Sequence, residues 1–180
     1  MSVQEPVTSL VPKDEDIGQE VQRIETIQFV TFYFGEHFFG LPIEEVIEIN
    51  RMLDITPVPL APDYVAGVVN LRGQILTAIN LATRIGLSTK EKKEANKFNN
   101  LIMGHREEPI SLLVEQIGDV MAVPKDHIEP PPALIDGLDV KYVRHVCKLP
   151  EKLLIILDSE ALQKPKQNRL QRETTEKESV

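Results

Sequence analysis

Apolar residues along this chain come in short runs rather than at helical spacing. The runs are Thr26 to Phe34, Phe38 to Leu41, Val46 to Ile49, Gly67 to Leu71, Ile75 to Ile79, Leu101 to Met103, Ile110 to Val114, Val120 to Val123, Tyr142 to Leu149 and Leu153 to Leu157. Gly, Pro and Asn punctuate them, and Val, Ile and Phe dominate within them, which is the signature of strands. Their close spacing predicts small barrels or a sandwich. Helix is scarce. One short turn is expected from Pro62 or Asp63 through Tyr64, Val65 and Ala66. A second should follow Asn80 as Leu81 to Ile85, stopped by Gly86, and a third should run from Ser159 to Leu162 with Asp158 as its N-cap. Ser88 to Lys97 is the polar low point of the middle and reads as an exposed loop.

The runs repeat. At an offset of 71, Phe39 to Ile49 lies over Ile110 to Val120, with apolar, small and acidic positions largely coinciding. At an offset of 78, Val68 to Asn80 lies over Val146 to Asp158, including the turns at Arg72/Gly73 and Pro150/Glu151. Each half therefore reads as hairpin, short acidic-apolar strand, Pro-rich connection and hairpin. Strand sets this small expose pairing edges unless they curl closed. The expected fold is mainly β: two small five-stranded barrel lobes, SH3-like or OB-like, related by internal pseudo-symmetry, with short helices and a groove between the lobes.

Composition narrows the function. Of 180 residues, 42% are apolar and 27% charged, ordinary for a globular chain, and the net charge of −8 is unevenly spread. Met1 to Thr26 holds two basic and six acidic residues, Ile27 to Gln163 holds 13 and 19, and Lys164 to Val180 holds five and three. An acidic folded part lacks the basic footprint of a duplex binder. With no Trp, and most of the Phe crowded between Phe29 and Phe39, the stacking platforms of a single-strand binder are missing too. No nucleic-acid partner is expected. The N-terminus has no secretory pattern and the chain has no long uncharged apolar run, so direct membrane insertion is not expected and the compartment reads as cytoplasmic. Residues 1–24 read as a mobile acidic arm, 25–163 as the folded domain and 164–180 as a disordered polar tail.

Candidate chemistry is sparse. There is no Gly-x-Ser-x-Gly elbow, Walker loop, Gly-x-Gly-x-x-Gly or His-Glu-x-x-His pattern. Cys147 is the only cysteine; with His145 it supplies two metal ligands at most, too few for a stable zinc site, and the two read as a half-buried thiol beside a surface imidazole. Glu44/Glu45 and Glu107/Glu108 read as solvated surface, because neighbouring carboxylates point different ways. No catalytic residue, metal or cofactor is expected. The informative segment is Pro62 to Leu81, where Gly73 suits a tight hairpin turn and Arg72 is presented outward by two apolar strands. Such an arginine fits recognition of a partner's carboxylate or carbonyl cluster, and fits equally a solvated turn residue.

The residues GlyValValAsnLeuArgGly (Gly67 to Gly73), preceded by ProValProLeuAlaProAspTyrVal and GluGluValIleGluIle, resemble the signature of the CheW family of chemotaxis coupling proteins. The resemblance extends over about Ile27 to Gln163, through SerLeuLeuValGlu and LeuLeuIleIleLeuAsp. Departures are Thr77 and Ala78 for Pro-Val, Asn80 for Asp, Ser111 for Gly, Glu115 for Asp and His145 for Gly. The resemblance implies a non-enzymatic adaptor that bridges the cytoplasmic tip of chemoreceptors (methyl-accepting chemotaxis proteins) and the regulatory domain of the CheA histidine kinase. Its location would be cytoplasmic, recruited to membrane-associated receptor arrays. It also implies a receptor-facing groove that includes Ile43, Val46, Glu48, Gly67 and Arg72. The alternatives from the residues are a small-molecule-binding barrel, which would require an enclosed pocket with convergent polar groups, and another interaction scaffold.

Overall fold

Twelve strands form two six-stranded sheets in a computed structural model that describes residues 24–51, 53–87, 97–104 and 108–165. The expected arm up to Arg23, most of the Ser88 to Lys97 loop and the tail from Lys166 onward lie outside the described residues. In chain order, β1 (Thr26–Phe34) and β2 (His37–Pro42) make a hairpin, followed by β3 (Val46–Arg51), β4 (Ile55–Thr56), a hairpin of β5 (Val65–Leu71) and β6 (Gln74–Asn80), and helix α1 (Leu81–Ile85). The second half repeats this with β7 (Asn99–Met103), β8 (Ile110–Val114), β9 (Gln116–Pro124), β10 (Ile128–Glu129), β11 (Val143–Lys148), β12 (Leu153–Leu157) and helix α2 (Ser159–Gln163). Most strands fall where the apolar runs predict them. The two-residue strands β4 and β10, inside the Pro-containing connections, raise each lobe from the expected five strands to six. The turn expected around Pro62 to Ala66 is not a helix: Val65 enters β5 directly.

The duplication is exact in register. The sheet orders are β10-β11-β12-β2-β1-β9 and β4-β5-β6-β8-β7-β3. Thr77 pairs with Ile110 between parallel β6 and β8, and Ile155 with Phe39 between parallel β12 and β2, so the offsets of 78 and 71 carry one pair onto the other. Ile49 opposes Leu101 as Val120 opposes Val30, and bulges recur at Val65/Gly67 and Val143/His145. The helices match as well. Asn80 and Asp158 cap α1 and α2 by accepting from the Thr83 and Ala161 N–H groups, and the N–H groups of the two caps donate to the Tyr64 and Tyr142 carbonyls, both at 2.8 Å.

The halves of the sequence are not the lobes of the molecule. Lobe 1 takes β1 and β2 from the first half and β9–β12 from the second; lobe 2 takes β3–β6 from the first and β7 and β8 from the second. Each half thus gives its first hairpin to the lobe built mainly by the other. The sheet edges β3 and β4, and β9 and β10, are joined by three-residue connections, so each sheet curls on itself. This exchange accounts for the unbroken apolar runs. In lobe 1, alternate residues of the same strands face two cores: Val30, Phe32, Phe39, Leu41, Ile155 and Leu157 join the large core shared with lobe 2, while Phe29, Phe38, Cys147, Leu154 and Ile156 fill the lobe's own interior. Strands buried on both faces have no polar phase to show.

Candidate partner-binding site

The β5–β6 turn has two residues, Arg72 and Gly73, both with positive φ, 52° and 88°. That is the backbone twist a two-residue hairpin prefers. Gly73 adopts it freely; Arg72 is held there against its steric preference. The Asn70 side chain supports the turn, its Oδ1 accepting from the Gly73 N–H at 2.9 Å. The Arg72 side chain is 79% exposed, and its Nη1 lies 3.1 Å from Glu48 Oε2 on edge strand β3. Glu48 is held in turn by the Asn50 amide, which donates to Oε1 at 2.6 Å. An ion pair this open contributes no more than about 1 kcal/mol to stability. What it does is aim Arg72 over β3.

Four of the five residues expected in the groove lie on the strands and turn around this pair. Glu48 and Arg72 touch. Val46 precedes Glu48 by two residues on β3, half-buried and packed against the large core. Gly67 is buried, with positive φ, where β4 crosses closely: a Cβ there would sit 2.3 Å from the Thr56 carbonyl oxygen. Its role is to let β4 approach β5, so it shapes the site without presenting a side chain. Ile43, on the 3-10 turn leading into β3, is 38% exposed.

Sequence reasoning missed Ile47, Ile49 and Ile75. On β3 the exposed phase is Ile47 and Ile49 while the half-buried phase includes Glu48 and Asn50, the reverse of an ordinary half-buried strand. Ile75 stands exposed immediately beyond the Arg72 hairpin turn. The signal lies in Val46-Ile47-Glu48-Ile49, which is apolar in both phases and so marks a strand with apolar side chains on both faces. Also missed was the fully buried Asn100, on β7 in register with Asn50, whose Oδ1 accepts from Ser111 Oγ at 2.8 Å. Ser111, a departure from the family pattern, thereby finds a partner.

Two expectations about individual side chains need correction. Glu45 is not solvated surface: it is half-buried and pairs with Arg144 at 3.3 Å, which also reaches the α2 cap Asp158 at 3.4 Å. Cys147 is buried and His145 half-buried, and burial raises the Cys147 thiol above its ordinary pKa. Among the described residues no group of three or more His, Cys, Asp or Glu is placed to hold a metal.

The family model for the CheW-like domain matches residues 28–166. The chain belongs to the CheW family. It is 34% identical over 136 residues to the chemotaxis protein CheW of Treponema pallidum, an alignment covering 74% of this chain and 80% of that one. It is 28% identical to the CheW of Helicobacter pylori, over 78% and 83% of the two chains. The crystal structure of the scaffolding protein CheW from Thermoanaerobacter tengcongensis superposes with a TM-score of 0.71 at 27% identity, covering 79% of this chain and 95% of that one. This is a family of non-enzymatic scaffolds in chemotaxis. No helix among the described residues is long and apolar enough to cross a membrane.

Proposed function

We propose that this CheW-family chain is a cytoplasmic adaptor that binds the signalling tip of a chemoreceptor and the regulatory domain of a CheA-type histidine kinase, and so is recruited to a membrane-associated array. The observation that carries the reading is the Arg72–Glu48 pair on a strained, rigid hairpin, with the exposed Ile47, Ile49 and Ile75 on the adjoining strands. Arginine is enriched at interfaces, and exposed aliphatic side chains on the strands that carry the pair suit a protein partner. Glu48 keeps the guanidinium in place before a partner arrives, which lowers the ordering cost of binding. Ile43, Val46 and Gly67 complete the proposed receptor-facing site, Val46 and Gly67 by supporting it from beneath. A ligand-binding barrel fits less well, because Phe29, Phe38, Cys147, Leu154 and Ile156 fill the interior of lobe 1.

Calorimetric titration against a receptor-tip fragment and, separately, against the kinase regulatory domain tests the proposal. Arg72→Ala should weaken at least one complex by about 2 kcal/mol or more. Wild-type affinity for both partners in a folded Arg72→Ala protein would remove this hairpin from the site. Failure of the unmodified chain to bind either partner would remove the adaptor reading.

A further inference from the structure

At the seam between the lobes, one buried cation performs a task its symmetry mate does not. Arg84, on α1 of lobe 2, is 2% exposed. Its guanidinium carbon lies 4.4 Å from the ring centre of Tyr64 and 5.2 Å from that of Tyr142, and these two tyrosines occupy equivalent positions ahead of β5 and β11. Nη2 crosses to lobe 1, donating to the Ala161 carbonyl at 3.0 Å and to the Lys164 carbonyl at the end of α2. Among the described residues, Nε and Nη1 have no hydrogen-bond partner and Arg84 makes no ion pair.

The equivalent position on α2, by the offset of 78, is Leu162, buried completely. An apolar side chain therefore suffices to fill this kind of site, and burying a guanidinium without a carboxylate is costly. Arginine adds direction. Leucine packing tolerates sliding of one surface over another, whereas a planar fork held by two ring faces and two carbonyls of the opposite lobe has one seating. We propose that Arg84 is the positioning residue that sets the placement of lobe 1 relative to lobe 2, and so the geometry that this scaffold imposes on whatever it joins. The proposal does not depend on which partners bind.

Spin labels on Gln74→Cys and Glu151→Cys, exposed positions at the hairpin turns of the two lobes, in a Cys147→Ala background, would report the distance between lobes by pulsed electron resonance. With Arg84 present a single narrow distribution is expected. Arg84→Met keeps the stem but loses the fork, and should shift the distribution or broaden it at least twofold while amide NMR signals from both lobes stay dispersed. An unchanged distribution in Arg84→Met overturns the proposal. If Arg84→Met fails to fold, Arg84→Lys decides: it keeps the charge without the planar stack, and a broadened distribution supports the role, whereas one that overlays the wild type overturns it.

Discussion

Residues at the proposed site divide into those that present chemistry and those that permit it, and substitutions should separate them. Arg72 is exposed, so Arg72→Ala should move the melting temperature little, surface changes of this kind costing under about 0.5 kcal/mol, while partner affinity falls. Gly67→Ala should do the opposite: the added methyl meets the Thr56 carbonyl carbon at 2.8 Å as well as its oxygen, so β4 must move and stability should drop by more than about 1 kcal/mol in a denaturant titration. Val46→Glu would put a charge against the large core and confound binding with folding. Ile49→Glu, at a 41% exposed position, is the cleaner probe, expected to weaken binding with the melt preserved. Cys147 has a pH signature. Its folded pKa is raised by burial, first, and then by the Glu129 charge. The stability it contributes is therefore fully present below the unfolded thiol pKa and is lost as pH rises through the folded one. Alkylation by iodoacetamide under native conditions should stay slow through the pH range in which an unfolded thiol already reacts, and Cys147→Ala should flatten the alkaline fall in stability.

Elements tell how the halves depend on each other. Every lobe needs a hairpin from each half, because the halves meet along the parallel pairs β2/β12 and β6/β8 and the antiparallel pairs β1/β9 and β3/β7. A chain divided between Leu87 and Lys97 should give two fragments that lack a cooperative melt alone and recover one on mixing, read by circular dichroism. Fragments that each fold as a stable monomer would contradict the exchanged topology. The short helices and hairpins were legible beforehand, since Asn80, Gly86, Asp158 and Gly73 are local signals acting on adjacent backbone. The strands β4 and β10 were not. Two residues carry no period, and these pair only because the β5 and β11 edges lie beside them.

At the scale of the whole molecule, the folded unit is proposed to end beyond Leu162, the last buried apolar residue among those described. The boundary expected at Gln163 leaves out the Lys164 carbonyl that Arg84 engages. A chain of residues 25–165 should melt like the full-length protein, and one ending at 163 should melt measurably lower. Lys125, whose N–H donates to the Glu25 carbonyl and whose ammonium pairs with its carboxylate at 2.6 Å, places Glu25 inside the fold in the same way. By itself the sequence determined the β class, the duplication and its offsets, and the Arg72 turn, because each is written in neighbouring residues or in a repeat of them. Only the tertiary structure decided which hairpins share a lobe, that Glu48 reaches Arg72, that Ile47 and Ile49 face outward, and that Arg84 is buried. Those depend on pairings between positions distant in the chain: Arg84 and Ala161 are 77 residues apart. No local pattern distinguishes a buried arginine in a five-residue helix from a solvated one until the opposite lobe closes over it.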